Sequence, residues 1–228
     1  MKLSVIYPIC SWPDPKDLNG KPHPFLFESL DSVFNDVNLD IELLIGIDGV
    51  RPWLLSYLNY WKETRNIGSG KIKIYEIPFS GTYGNRQRNF LLKEASGNII
   101  SFMDHDDIYL PNALKMVFNE FSLNPKSPHF FKIKISMYGD HDKSKHGIVT
   151  LGGIEVENNL VKGKIGGHMF VVPNIKQHLS EWPETIYEAD YHFIKNTCKS
   201  FSGVGINPKW SDVYIAHIRP WSSGYMSE

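Results

Sequence analysis

Short apolar runs rich in Ile and Val alternate with amphipathic stretches through the first half of the chain. Leu3–Tyr7, Ile41–Ile47, Ile72–Ile77 and Ile99–Met103 are bounded by Pro, Gly or Asp, the pattern of strands buried on both faces of a parallel sheet. Phe25–Phe34, Trp53–Trp61 and Arg86–Ala95 read as the intervening helices, with Gly97 placed to stop the last of them. This βαβα order predicts an α/β fold built on an open, doubly wound, mostly parallel sheet with right-handed crossovers. In such sheets ligands bind outside the carboxyl ends of the strands.

The second half has a different rhythm. Phe130–Met137, Ile148–Val156, Leu160–Ile165 and His168–Val172 read as strands, with hairpin-like connections at Asn158-Asn159 and Gly166-Gly167. They predict a mixed or antiparallel extension of the sheet. A helix from about Glu188 to Lys199 and a strand near Val213–Ile218 follow, and Arg219–Glu228 is a tail rich in Ser and Gly. No internal repeat or low-complexity segment interrupts the chain.

At 228 residues, 42% hydrophobic and 13% aromatic, the chain can bury the core of one large α/β domain. The 24 basic residues nearly balance the 25 acidic ones, so the charge leaves no overall footprint for nucleic acid. Cys10 and Cys198 are far apart and in no CxxC arrangement, which points to reduced, partly buried thiols and no structural zinc. The first apolar run is broken by Pro8 and is too short for a signal peptide, and no stretch approaches about 18 uninterrupted apolar residues. No transmembrane segment is expected, and the cytoplasm follows as the default location.

The candidate chemistry starts where the fourth apolar run meets Asp104-His105-Asp106-Asp107. Clustered carboxylates repel one another, so placing them at the end of a buried strand is costly unless a divalent cation neutralises them. The competing explanation is a solvated acidic turn that caps a helix beginning near Pro111. Arg86 and Arg88, near the start of a helix, add positive charge for an anion. Arg88 shares a face with Leu91, Leu92 and Ala95, so the edge of the core is its alternative place.

Context favours the cation. Ser4-Val5-Ile6-Tyr7-Pro8, Ser29-Leu30-Asp31-Ser32-Val33, Ile47-Asp48-Gly49, Arg88-Asn89 and Gly97 through Asp107 occur in the order seen in family 2 glycosyltransferases of the GT-A fold, which this chain resembles. The resemblance covers the first half well and the second half loosely. It implies transfer of a sugar from a UDP- or GDP-linked donor to a hydroxyl of a glycan or other acceptor, with Mn²⁺ or Mg²⁺ as the only cofactor. Tyr7 and Pro8 then lie against the nucleotide base, Asp48 against the base or ribose, and Arg88 by the donor. Asp104 and Asp106 correspond to the DxD pair that holds the metal on the donor diphosphate, and Asp107 to the extra Asp common in these enzymes. The Pro-rich loop Ile9–Pro24 is longer than the family's usual turn, which leaves the base preference open between UDP and GDP.

In the second half, Glu188-Ala189-Asp190 resembles the acidic motif that opens a late helix in the family, where a carboxylate removes the acceptor's proton. An inverting displacement needs such a base opposite the leaving group. Asp190 is the first choice and Glu188 its rival. Gly166-Gly167-His168 resembles the small-residue turn beside the donor sugar, with a plain hairpin turn as the alternative. His217 resembles the C-terminal His that completes metal coordination in some GT-A enzymes. Trp221 is placed to anchor a lid. The mixed-charge run Asp140–His146 reads as a solvated loop rather than a second metal site. The expected division is a nucleotide-sugar-binding half over residues 1–110 and an acceptor-binding half with the tail over 111–228. A nucleotidyltransferase would need a basic Gly-rich loop after the first strand, and a non-catalytic binding module would have lost its carboxylates; neither pattern is present.

Overall fold

The structure, a computed structural model, describes residues 1–10, 24–36, 38–65, 67, 69–137, 147–151 and 160–219. The first half folds as its pattern predicts. Strands β1 (Leu3–Ile9), β2 (Ile41–Asp48), β3 (Ile72–Ile77) and β4 (Ile99–Phe102) alternate with helices α1 (Pro24–Ser32), α2 (Pro52–Thr64) and α3 (Asn85–Glu94). All four strands are parallel, in the order β3-β2-β1-β4. Every residue of β1, β2 and β4 is buried. At about 1.5–3 kcal/mol for each fully buried Val, Leu or Ile, these strands form the main hydrophobic reserve of the fold.

Helix α3 packs on β1 and β2. Gly46 makes room for it: a Cβ there would stand 3.0 Å from Ile77 and 3.2 Å from both Gln87 and Leu91. Gly97 has a role other than stopping α3, which already ends at Glu94. Its N–H donates to Ser4 Oγ at 2.8 Å and to Glu42 Oε1 at 3.0 Å, and a Cβ there would meet the Ser4 backbone nitrogen at 2.7 Å. The constraint is close approach between chain segments, not helix termination.

The second half continues the sheet through β5 (Ile108–Tyr109), α4 (Ala113–Leu123), β6 (His129–Met137), β7 (Gly147–Leu151), β8 (Phe170–Pro173), α5 (Ala189–Ser202) and β9 (Lys209–Ile218). The sheet order runs on from β4 as β8-β6-β9-β5, with β7 beside β6. The β4–β8, β8–β6, β6–β7 and β9–β5 pairs are antiparallel and β6–β9 is parallel, so the extension is mixed. Three expectations change. Leu160–Ile165 is not a strand: Val161 is exposed, Gly163 has φ +78°, and Lys164 N–H closes a turn on the Val161 carbonyl at 3.0 Å. Gly167–Met169 is a single 3₁₀ turn rather than a hairpin, and β8 starts only at Phe170. The last strand begins at Lys209 rather than Val213, because Trp210 stacks on Phe130 of β6 at 4.2 Å. Asn158-Asn159, Asp140–His146, most of the loop after β1 and Trp221 lie outside the described residues. No described helix is long and apolar enough to cross a membrane. Cys198 is buried in α5, and burial pushes its thiol up to about 12.

Candidate active site

Strand β4 delivers residues 104–107 to the carboxyl edge of the sheet, and backbone bonds then fix them there. Asp107 N–H closes the turn on the Asp104 carbonyl at 3.2 Å. Three other segments bond the turn's carbonyls: Ser29 Oγ donates to Asp104 at 3.2 Å, the Tyr7 hydroxyl to His105 at 3.3 Å, and Arg219 Nε to Asp106. The turn is therefore held by α1, β1 and the end of β9 at once. Its carboxylates are placed by tertiary contacts and not by the turn alone.

Asp104 Oδ1 accepts a hydrogen bond from Arg88 Nη2, and about a third of the Asp104 side chain stays exposed (34%). Burial pushes this carboxyl up, but Arg88, His168 and His105 outweigh it and hold it below its ordinary value. Asp107, 1% exposed, has Oδ2 3.1 Å from His168 Nε2 and accepts Arg219 N–H on Oδ1 at 2.7 Å. His168 Nε2 also lies 3.1 Å from the Asp104 backbone nitrogen and 3.7 Å from Asp104 Oδ2. Burial disfavours the imidazolium, yet Asp104 and Asp107 raise it to about 9. Ligand atoms of Asp104, Asp107 and His168 all lie within 4.8 Å of one another, two oxygens and one nitrogen, a donor set that suits Mn²⁺ and tolerates Mg²⁺.

Asp106 takes a different position. It is 7% exposed, off the cleft wall, and burial with Asp107 beside it raises its carboxyl to about 6. His105 is raised to about 9, since its bond to Cys10 and the charge of Asp106 outweigh burial. His217 sits on β9 between Ile108 and Lys134, with Nε2 2.7 Å from Ser136 Oγ. Its basicity is lowered, first by burial. Neither Asp106 nor His217 is among the described residues that line this cleft.

The cleft encloses about 370 Å³. Arg88, Asp104, Asp107 and His168 line it together with Asp190 and Glu188. Asp190 opens α5; its Oδ1 accepts Tyr191 N–H at 2.8 Å, and burial raises its carboxyl. A Cβ on Gly166 would stand 3.4 Å from Asp190 Oδ2, and one on Gly167 3.2 Å from the Trp182 ring, so the paired glycines keep this passage open. Glu188 faces outward, in an ion pair with Lys162 at 2.7 Å in which both partners are about half exposed.

The remaining predicted residues have partners within the chain. Asp48, 1% exposed, accepts Ser80 N–H at 2.8 Å, Ser80 Oγ at 3.1 Å, Gly81 N–H at 3.3 Å and Gln87 Nε2 at 2.7 Å. Tyr7 and Pro8 are buried in β1, and Pro8 packs against Gly84. Arg86 pairs with Glu184 at 3.0 Å instead of facing the cleft. Arg88 donates to the Tyr83 carbonyl at 3.0 Å and to Asn85 Oδ1 at 3.3 Å, and its guanidinium lies 4.7 Å from the Trp182 ring centre.

Sequence reasoning missed Trp182, Asn89 and the placement of His168. Asn89 bonds both backbone groups of Trp182, accepting its N–H at 2.7 Å and donating to its carbonyl at 2.9 Å. Trp182 in turn stacks on Phe193 at 4.6 Å, which makes it a slab between Arg88 and α5. The Asn beside Arg88 was the available signal: a partly buried amide next to a candidate cation favours a backbone partner.

The sequence profile of glycosyl transferase family 2 matches residues 21–177, more than two thirds of the chain. No curated protein sequence matches the chain closely. Among solved structures, the 1–349 fragment of S. aureus TarS in complex with UDP-GlcNAc superposes with a TM-score of 0.69 at 17% identity, over 100% of this chain and 62% of that one. A mannosyltransferase from Pyrobaculum calidifontis in complex with GDP-Man and Mn²⁺ gives 0.61 at 14% identity, over 98% and 58%. GalNAc-T7 with UDP, GalNAc and Mn²⁺ gives 0.65 at 11%, over 96% and 44%. The chain spans less than two thirds of the length of each of these proteins.

Proposed function

Because the chain belongs to glycosyl transferase family 2, we propose that it transfers a sugar from a UDP- or GDP-linked donor to an acceptor hydroxyl, with inversion at the anomeric carbon. The observation that carries this reading is one cleft lined by the acidic pair Asp104 and Asp107, with His168 and Arg88, and by the separate carboxylate of Asp190. Asp104, Asp107 and His168 would hold Mn²⁺ or Mg²⁺, which when bound supplies Lewis-acid stabilisation of the departing diphosphate. Asp104 with Asp106 and His217 is the rival ligand set from the sequence.

Arg88 stands beside Asp104, where it adds positive charge for the diphosphate. Asp190 takes the proton from the acceptor hydroxyl as that oxygen attacks the anomeric carbon. Its raised proton affinity suits a general base near neutral pH, and Glu188, paired with Lys162, is the weaker choice. Residues 1–110 supply most of the nucleotide-sugar half and 111–228 most of the acceptor half. UDP-GlcNAc in TarS and GDP-Man with Mn²⁺ in the mannosyltransferase support a donor and ion of these classes. With two cysteines in no paired arrangement, the work is assigned to the cytoplasm.

The test is a panel of UDP- and GDP-sugars given to purified protein with and without Mn²⁺, reading nucleotide diphosphate release and the anomeric configuration of the product. Release from one donor, dependent on the ion and with inverted product, is expected. No release from any donor, or full activity in a chelator, would sink the reading.

A further inference from the structure

We propose that Tyr83 and Tyr187 form an acceptor subsite that stacks a pyranose ring, so that the acceptor of this transferase is a saccharide; this rests on the glycosyl-transfer reading above. Both tyrosines line the catalytic cleft, and their rings meet edge to face at 5.3 Å and 85°. They are 54% and 75% exposed, so neither ring serves the core.

The backbone supports a function beyond packing. Tyr83 has φ +53°, a left-handed conformation that costs a residue with a side chain about 1–2 kcal/mol. An exposed ring returns little of that. The strain persists because neighbouring contacts impose it: Arg88 Nη1 holds the Tyr83 carbonyl at 3.0 Å. The segment bearing Tyr187 is clamped to the same helix. Asn85 Nδ2 donates to the Pro183 and Ile186 carbonyls, each at 3.2 Å, and Arg86 pairs with Glu184. The backbone segments that carry these two rings, from distant parts of the chain, are thereby held together before any ligand arrives, which lowers the entropy lost on binding.

The surroundings select the ligand. A pyranose offers a C–H face to an aromatic ring, whose face is negative and attracts those hydrogens. Its rim of hydroxyls needs polar partners, and the cleft lining offers Glu188, ion-paired with Lys162, both about half exposed. A lipid chain would need a continuous apolar groove in their place. Tyr187 also precedes Asp190 by three positions, and both line the cleft.

The test titrates cellobiose, lactose and N,N′-diacetylchitobiose into the full protein loaded with UDP or GDP and Mn²⁺, read by saturation-transfer NMR. Calorimetry measures nucleotide affinity separately. Wild type is expected to bind at least one disaccharide. Tyr83→Gly combined with Tyr187→Ala should weaken that binding at least ~10-fold, the worth of two aromatic stacks. Glycine suits the positive φ, so the variant keeps its fold. Tyr187→Trp should retain affinity within about threefold while nucleotide affinity stays constant. Absence of disaccharide binding, or unchanged binding in the double variant, overturns the subsite. A parallel loss of nucleotide affinity also overturns it, by assigning the rings to the donor base. Failure of wild type to bind nucleotide at all removes the transfer reading itself, a result distinct from the others.

Discussion

Carboxylates occupy opposite ends of the same parallel sheet, and their surroundings differ in kind. At the amino end, Glu42 is fully buried and accepts Ser4 Oγ at 2.6 Å, Ser96 N–H at 2.6 Å, Ser96 Oγ at 2.7 Å, Gly97 N–H at 3.0 Å and Lys2 Nζ at 2.8 Å. Burial alone would raise its carboxyl, but these donors, led by Lys2 and Ser4, hold it at about 2. At the carboxyl end, Asp104, Asp106 and Asp107 crowd into one turn, and Asp106 is pushed up to about 6. A buried charge that the chain satisfies itself joins strands together, whereas a crowded set leaves electrostatic demand for a ligand to meet. Glu42 and the Asp104–Asp107 turn thus divide structural from chemical duty within one sheet.

The largest test of this contrast is at the chemical end. Asp104→Ala should lower turnover at least ~10³-fold and abolish Mn²⁺-dependent binding of UDP or GDP in calorimetry, since it removes the proposed oxygen ligand and the partner of Arg88. Asp106→Ala and Asp107→Ala rank the two ligand sets: a greater loss at Asp107 supports the set with His168, and the reverse hands the ion to Asp106 and His217. Unchanged ion-dependent affinity in all three variants would erase the contrast.

Asp190 comes next in size. Asp190→Asn should cut turnover at least ~10²-fold while donor affinity is retained, because an amide cannot accept the acceptor's proton. Glu188→Gln should do less. If the ranking reverses in steady-state kinetics, the base is Glu188.

The smallest effect belongs to the structural end and should leave chemistry untouched. Glu42→Gln should destabilise the fold by about 2 kcal/mol in denaturant titration with unchanged turnover at neutral pH, as charged hydrogen bonds inside the sheet are replaced by weaker ones. The pH dependence follows from its lowered carboxyl. Ordinary Glu titrates near 4.5 and this one near 2, so its contribution is complete above about 4.5 and disappears as pH falls toward 2. Wild type should lose stability across that window more steeply than Glu42→Gln. Identical acid profiles would place the stabilisation elsewhere.

The chain's pattern announced the first half because β1, β2 and β4 are buried on both faces, and only Ile- and Val-rich runs fit there. The Asp104–Asp107 turn was legible for the same reason: polar residues interrupt a buried run where the strand leaves the sheet. Partners distant in sequence were not legible. Glu42 sits inside a strand whose alternation looks ordinary, and its donors come from residues 2, 4, 96 and 97. His168 faces Asp107 only because β8 pairs with β4 and β6, a register that local composition does not encode. The segment 160–165 has strand-like residues, but Gly163 at φ +78° and the bond from Lys164 N–H to the Val161 carbonyl turn it.

The clamp between α3 and residues 182–187 has a consequence for recombining this chain with its relatives. Asn85, Arg86 and Asn89 each hold a position on that segment, so the two stretches behave as one heritable unit although nearly a hundred positions separate them. A crossover placed between them would pair one parent's asparagines with the other parent's carbonyls. The buried Asn85 amide, left unmatched, would cost about 1–3 kcal/mol. Chimeras that exchange both stretches together should therefore survive where single exchanges fail, and acceptor preference should travel with the pair.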